Sequence, residues 1–375
     1  MARWCAGLKQ SDGMRNTSAL RIIASGTRRL TTPATLIEAG LAAPERLGEL
    51  EKVAERYAVG LTPALAGLIR RGNAADPIAR QFIPDARELI RDPAERDDPI
   101  GDDAKSPVKG LVHRYRDRVL IKLVAVCGVY CRFCFRRERI GPGSASLSES
   151  EFAAALDYVR ADPAIWEVIL TGGDPLTLSP RRIAATTAAL AAIDHVQTLR
   201  WHTRMPVAAP ESITPAMARA LCAEGKTAVV AVHANHPREL SPSARAACRR
   251  LADQRVMLVS QSVLLKGVND DVETLEALMR AFVHAGVKPY YLHHGDLAPG
   301  TSHWRVPIAK GQALMRDLRA RLSGLATPTY VLDIPGGHGK VPVGPPAIRN
   351  DGGGRHIVTD PKGVEHIYVD RLGEP

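Results

Sequence analysis

Three cysteines, Cys127, Cys131 and Cys134, form a C-x3-C-x2-C run directly after the apolar segment 119–126. Three thiolates brought together with no fourth ligand nearby can hold three irons of a [4Fe–4S] cluster and leave the fourth iron open. An open iron of that kind is where S-adenosylmethionine can chelate. A structural zinc ion would normally take four protein ligands, and no other Cys or His stands at a helpful spacing. The remaining cysteines, Cys5, Cys222 and Cys248, are scattered and fit no disulfide framework. An open cluster would not last in an oxidising compartment, so a reducing cytoplasm is expected.

A second candidate is Pro335-Gly336-Gly337-His338-Gly339-Lys340-Val341. It looks like a phosphate loop but fails that test, because the positions that need a glycine and a hydroxyl hold Ile334 and Val341. Glycines crowded before one lysine suit close backbone approach to a planar cofactor that the lysine attacks, a Schiff base with pyridoxal phosphate being one such case. An ordinary glycine-rich turn with a solvated lysine accounts for the same residues.

Either chemistry needs a scaffold. From 119 onward β-rich and helix-patterned segments alternate, with candidate strands at 119–126, 167–171, 198–202, 228–233, 257–263 and 288–293. The clearest helix signal is 148–160, where Ser148 and Glu151 form a capping box ahead of an apolar run. Six β/α units in succession argue for a parallel sheet with outer helices. The expected fold is therefore α/β, an open (βα)6 partial TIM barrel, whose active face is built by the loops at the strands' C-terminal ends. The cysteine loop follows the first strand and lies there.

A seventh strand, 329–333, leads into a glycine-rich tail. Upstream, Thr62 and Pro63 open a helix over 64–70 that Gly72 closes, and 97–110, with its prolines, glycines and acids, is a connecting stretch. The expected division is 1–32 disordered, 33–105 a helical N-terminal domain, 106–328 the barrel, and 329–375 a C-terminal cofactor-binding extension. Residues 1–32 are basic and hydroxyl-rich, faintly like a transit peptide but without an amphipathic repeat. The net charge of +10 comes from Lys and Arg dispersed along the chain and not interleaved with aromatics. A solvated surface with anion-binding pockets is expected over a nucleic-acid site. No apolar run approaches the roughly 18 residues that a membrane span needs.

The cysteine motif closely resembles that of the radical S-adenosylmethionine superfamily, and much of the chain resembles lysine 2,3-aminomutases within it. Residues 98–139 carry Ser106-Pro107-Val108, Gly110-Leu111, His113-Arg114-Tyr115 and Asp117-Arg118-Val119-Leu120 ahead of the cysteines, then Arg136-Arg137. Further on come Thr171-Gly172-Gly173-Asp174-Pro175-Leu176, His202-Thr203-Arg204, His233 with Asn235-His236-Pro237, Gln261-Ser262-Val263, Pro289-Tyr290-Tyr291 and the glycine-lysine motif. The similarity runs in matching order over 62–343.

The resemblance implies that Cys127, Cys131 and Cys134 hold the cluster and that Phe133 stacks near the adenine. It implies that Gly172-Gly173-Asp174 meets the methionine amino group through backbone carbonyls, with His233 and Gln261 on the S-adenosylmethionine side. Lys340 matches the pyridoxal phosphate lysine, and Tyr115 and Arg118 match further cofactor contacts, the arginine being suited to phosphate. Without the resemblance, Tyr115 reads equally as core, Arg118 as a surface charge, His233 as a satisfied buried histidine and Gly172-Gly173 as a βα turn.

Arg136 matches a carboxylate-binding arginine, whose fork pairs with a carboxylate bidentately. Asp296 and Asp333 match two aspartates that hold the far ammonium of lysine, and they would repel the side-chain carboxylate of glutamate. Alone, Asp296 is a loop acid and Asp333 a strand-end cap. The implied reaction is that of an isomerase: a 5'-deoxyadenosyl radical takes hydrogen from C3 of L-lysine, and the 2-amino group moves to C3 to give β-lysine. An aminomutase for arginine or another amino acid, a radical enzyme modifying RNA and an iron–sulfur electron carrier are the alternatives. An RNA-modifying enzyme would have no use for Lys340 and the two aspartates, and the open iron argues against a carrier. The resemblance further implies an external electron donor such as flavodoxin or ferredoxin, a homo-oligomer, and a possible link to elongation factor P modification. No cysteine follows Cys248 and residue 295 is Gly, so the zinc that some relatives bind between subunits is not expected.

Overall fold

The computed structural model describes residues 28–370, so the disorder expected for 1–32 lies outside the described residues as far as position 27. Nine strands form one sheet in strict sequence order. They are β1 (Leu111–Tyr115), β2 (Arg118–Val124), β3 (Glu167–Gly172), β4 (Thr198–Thr203), β5 (Thr227–His233), β6 (Met257–Val263), β7 (Lys288–His293), β8 (Thr329–Ile334) and β9 (Gly339–Pro342). Strands β2 to β8 pair in parallel, while β1 and β9 fold back antiparallel on the two edges. Each parallel neighbour requires a crossover, and the helices Glu149–Ala161, Pro180–Ala191, Pro215–Ala220, Pro242–Ala252, Val272–His284 and Ile308–Arg321 supply the six of them. This is an open α/β barrel, with the six expected β/α units and the seventh strand in the expected places.

The two faces of the sheet differ in character. Val119 and Ile121 of β2, Val168 and Leu170 of β3, Leu199 and Trp201 of β4 and Val230 and Val232 of β5 pack with Leu156, Ile183, Leu251, Leu278 and Leu318 of the helices in the main core. Each such side chain contributes about 1.5–3 kcal/mol of burial. Because side chains alternate along a strand, the intervening Arg118, Leu120, Lys122, Arg200, His202 and Gln261 lie on the opposite face, outside that core. The inner face of the barrel therefore sets charged and polar groups among apolar ones such as Leu120 and Ile169, a composition suited to a binding site.

Short helices, Pro33–Glu38, Leu47–Arg56, Pro63–Ala66 and Pro77–Phe82, precede the barrel. Leu36, Leu61, Leu65, Ile78 and Phe82 form a second apolar cluster that also takes in Val129 of the cysteine loop and Ala208 beyond β4. The helix expected over 64–70 is shorter than that: Thr62 caps it by accepting from Leu65 N, and it stops at Ala66 with Gly67 as C-cap, a residue that favours termination. The capping box at Ser148 and Glu151 is present as expected.

Three features were not foreseen. The segment 111–115 is a strand, β1, although His113 and Arg114 interrupt its apolar character. The glycine-rich tail folds back as β9, and beyond it β10 (Ile348–Gly352), β11 (Arg355–Thr359) and β12 (Glu365–Val369) make a separate antiparallel meander. The two edges of the open sheet meet where Lys340 N donates to Tyr115 Oη at 2.7 Å. Gly101 presses on the same place: a Cβ there would stand 2.3 Å from Gly337 N, and its φ of +67° favours glycine as well.

Candidate active site

The cysteine loop leaves the sheet where β2 ends. Ala125 and Val126, expected to continue the strand, peel away, and the β3 turn follows them, with Gly173 N donating to Val124 O at 2.6 Å and Asp174 N to Val126 O at 2.9 Å. Gly173 has no alternative, because a Cβ would lie 2.2 Å from Val126 O. The Asp174 carboxylate is used within the scaffold. It accepts from Thr203 Oγ1 and from Arg204 N, each at 2.7 Å, which ties the end of β3 to the end of β4.

Cys127, Cys131 and Cys134 are free thiols. Burial pushes all three up, with Cys134 at about 11; repulsion from Cys134 and Cys131 adds to the rise at Cys127, and repulsion from Cys131 adds to it at Cys134. Among the described residues no three His, Cys, Asp or Glu side chains are arranged to hold a single metal ion. Three irons of a cube take thiolates further apart than one ion does, and the donor set, three cysteines and no fourth ligand, fits a site-open cluster. Phe133 is buried beside this loop, with ring centroids 6.3 Å from Trp304 and 5.7 Å from His233. His233 and Gln261 sit opposite one another across the β5–β6 pair.

The N-terminal helical region holds this loop by charge. Arg132, between the second and third cysteines, donates from Nε to both oxygens of Glu88 at 3.0 Å, and Arg137 pairs with the same carboxylate. Arg137 also lies 3.5 Å over the Tyr57 ring. Burial pushes the fully enclosed Glu88 carboxyl up, but the two guanidinium groups more than offset it and leave it below its usual range. Glu88→Ala strands two buried cations, and the expected cost is about 3–5 kcal/mol. Chemical denaturation of the cluster-free protein followed by circular dichroism reads this directly, and an unchanged midpoint would show that the loop is held by other contacts.

Across the barrel mouth, β8 and β9 bring Asp333 opposite Lys340 in register. Lys340 Nζ donates to Asp333 Oδ2, and His293 Nδ1 lies 3.6 Å from the same oxygen. Burial raises the Asp333 carboxyl, but His293 and Lys340 outweigh it and set it below the ordinary carboxylate range. Asp296, on the loop after β7, has the opposite fate: burial, then repulsion from Asp333, pushes it up to about 7, against the pull of Lys340 and Arg136. Tyr115 stacks 3.8 Å under the Arg118 guanidinium, which pairs with Asp117 at 2.6 Å. Lys340, Tyr115, Asp296, Asp333 and Arg136 therefore share one neighbourhood.

Some partners in this neighbourhood had no place in the sequence reading. Arg136 donates to Asp102 Oδ2 at 3.1 Å and approaches Thr171 Oγ1 at 3.4 Å, while Arg114 holds the other Asp102 oxygen at 3.0 Å. In sequence Asp102 is one acid of a connecting stretch; in the fold it is buried and fixes the arginine's direction. A cleft lined by Asp98, Asp102, Lys122, Arg136, Arg139 and Gly172 opens beside it. His202 projects an enclosed Nε2 that has no partner among the described residues, a group that a bound molecule could satisfy. His293, next to Pro289-Tyr290-Tyr291, could have been found from strand alternation once 288–293 was read as a strand.

The chain is similar to several known proteins over most of its length. A family model described as the radical SAM superfamily matches residues 121–281. The chain is similar to the L-lysine 2,3-aminomutase of Acetoanaerobium sticklandii, 36% identical over 325 residues that span 87% of this chain and 78% of that protein. It is similar to the L-lysine 2,3-aminomutase of Clostridium subterminale, 38% identical over 314 residues, 84% of this chain and 75% of that one. It is also 33% identical over 303 residues to the glutamate 2,3-aminomutase of Clostridioides difficile, 81% of this chain and 71% of that protein.

Proposed function

Because the chain belongs to the lysine 2,3-aminomutase family of radical SAM isomerases, we propose that it converts L-lysine to β-lysine, with pyridoxal phosphate carried by Lys340. Superfamily membership implies the [4Fe–4S] cluster and S-adenosylmethionine. When bound, these supply a hydrogen-abstracting radical, and pyridoxal phosphate supplies a ring over which an unpaired electron spreads. The protein's part is to hold, orient and exclude. Cys127, Cys131 and Cys134 ligate the cluster. Phe133, His233, Gln261 and the Gly172-Gly173-Asp174 turn form the S-adenosylmethionine side, and Tyr115 and Arg118 steady the pyridine ring and its phosphate.

The observation that carries the lysine reading is the pair Asp296 and Asp333 beside Lys340, with Arg136 nearby. Asp333 holds an ammonium, that of Lys340. The same carboxylate, with Asp296 beside it, would take the distal ammonium of the substrate when Lys340 serves the cofactor. Arg136, aimed by Asp102, takes the substrate carboxylate at the other end. Two acids at the distal end attract lysine, and they repel glutamate, the substrate named for one of the relatives. Arginine, with a distal cation of its own, is the second reading that these acids favour. A reducing cytoplasm, a low-potential donor such as flavodoxin or ferredoxin, and a homo-oligomer complete the proposal. Among the described residues no helix is long and apolar enough to cross a membrane.

The clamp has a pH signature. Asp296, raised to about 7 in the free protein, is largely protonated below that pH, whereas a bound ammonium favours the ionised form. Lysine binding therefore expels a proton below pH 7, and affinity is expected to rise by up to roughly tenfold per pH unit until about 7 and then level off. Asp296→Asn should flatten that profile, and it or Asp333→Asn should lower turnover efficiency by more than about a hundredfold, on the order of 3 kcal/mol. The assay is β-lysine formation from L-lysine, set beside arginine and glutamate, under anaerobic reducing conditions. Both Asn variants converting lysine as well as the parent would remove the clamp from the proposal.

A further inference from the structure

Arg204 lies just beyond β4, and its side chain is almost completely enclosed. One terminal amino group, Nη2, donates to Gln81 Oε1 at 2.7 Å and pairs with Glu239. The other, Nη1, donates to Cys131 Sγ at 3.1 Å. The guanidinium carbon lies 4.7 Å from the centroid of the Phe82 ring and 5.6 Å from that of Phe133. Glu239 and Gln81 are themselves fully buried and bonded to each other at 3.1 Å. The fork is therefore held by its own anion and amide, and the amino group that remains points at a sulfur. Among the described residues neither Cys127 nor Cys134 receives a side-chain donor, so the three candidate ligands are not equivalent.

We propose that Arg204 tunes the cluster electronically, by donating a charge-assisted hydrogen bond to the Cys131 thiolate and so raising the reduction potential. This rests on the cluster reading given above. The physics is direct. Adding one electron to the cluster increases the negative charge on its thiolates, and a cation fixed at hydrogen-bond distance stabilises the more negative state. Hydrogen bonds to the sulfurs are among the factors that set the potentials of such clusters, and low surrounding polarity strengthens the effect. The step is a one-electron reduction by an added low-potential reductant, with no bond made or broken and no proton moved. Arg204 is in this account a positioning and tuning group, set by Glu239 and Gln81 and touching no substrate.

The test is a potentiometric titration of the reconstituted cluster, followed by electron paramagnetic resonance of the reduced form, without S-adenosylmethionine or substrate. The double variant Arg204→Gln/Glu239→Gln removes cation and anion together, so that no charge is left alone in the core. Its reduction equilibrium is expected to fall about tenfold, which for one electron is about 59 mV towards negative potential. Arg204→Lys keeps the charge but lacks the fork, and is expected to shift part of the way; it also carries the test should the double variant fail to fold. Both variants titrating at the parent potential would overturn the inference and leave the cluster reading intact. A parent protein that takes up no four-iron cluster would overturn both. An arginine that served only to bind S-adenosylmethionine would shift the concentration dependence of cleavage and leave the potential unmoved, which likewise overturns the inference.

Discussion

Cys131→Ala is expected to abolish formation of 5'-deoxyadenosine from S-adenosylmethionine. Loss of a mere supporting contact around a metal ligand commonly costs about 10–100-fold, and loss of a ligand from a set of three leaves nothing to substitute for it. The decline should therefore exceed about a hundredfold and reach background. Cys127→Ala and Cys134→Ala should behave alike, because three thiolates are the smallest set that keeps a cube in place with one iron open. Cys222→Ser serves as the comparison: its thiol donates to the backbone carbonyls of Ala218 and Gln254, each at 3.6 Å, at the border of the main core, and cleavage should persist. Cleavage at the parent rate by Cys131→Ala protein reconstituted with iron and sulfide would show that the cluster is held elsewhere.

Lys340→Ala should lose the visible absorption of bound pyridoxal phosphate that borohydride can trap, while the cluster absorption remains. Aminomutase turnover should fall by on the order of 10³ or more, the scale on which removal of a covalently acting residue is felt. A second effect follows from the ion pair alone. Lys340 and His293 are what hold the Asp333 carboxyl low against its burial, so without the ammonium Asp333 should titrate at higher pH. Borohydride reduction of the parent protein followed by peptide mapping locates the label. Label on Lys266 in place of Lys340 would overturn the assignment.

What could be read in the sequence, and what could not, follows from the range of the interactions. The cysteine loop is legible because its three ligands lie within eight positions, and β3 to β7 are legible because short β-branched, aromatic or apolar stretches alternate with helix-patterned ones. Gly173 and Lys340 stand out through local composition. The pairs that hold the site do not. Glu88 with Arg132, Asp102 with Arg136 and Arg204 with Glu239 are separated by 44, 34 and 35 residues, and nothing in either local stretch announces the other. Glu88 looks like one more acid of a polar helix, and only the fold encloses it. Strand β1 is hidden by His113 and Arg114, whose partners Tyr158 and Asp102 lie outside the strand, 45 and 12 residues away. The meander β10–β12 is hidden by its glycines and charges, which read as tail. The sequence offers Asp296 and Asp333 as two acids around one ammonium and does not distinguish them; in the fold Asp333 is paired with Lys340 and held low, while burial and repulsion from Asp333 push Asp296 up to about 7.

The most direct measurement is the fate of nitrogen in L-lysine labelled with 15N at the 2-amino group. The labelled amino acid is incubated anaerobically with the reconstituted protein, S-adenosylmethionine, pyridoxal phosphate and a low-potential one-electron reductant. The predicted result is β-lysine with the label retained on C3, together with consumption that depends on S-adenosylmethionine. Recovery of unchanged lysine while arginine or glutamate is converted, or release of the label as ammonia, would contradict a lysine 2,3-aminomutase.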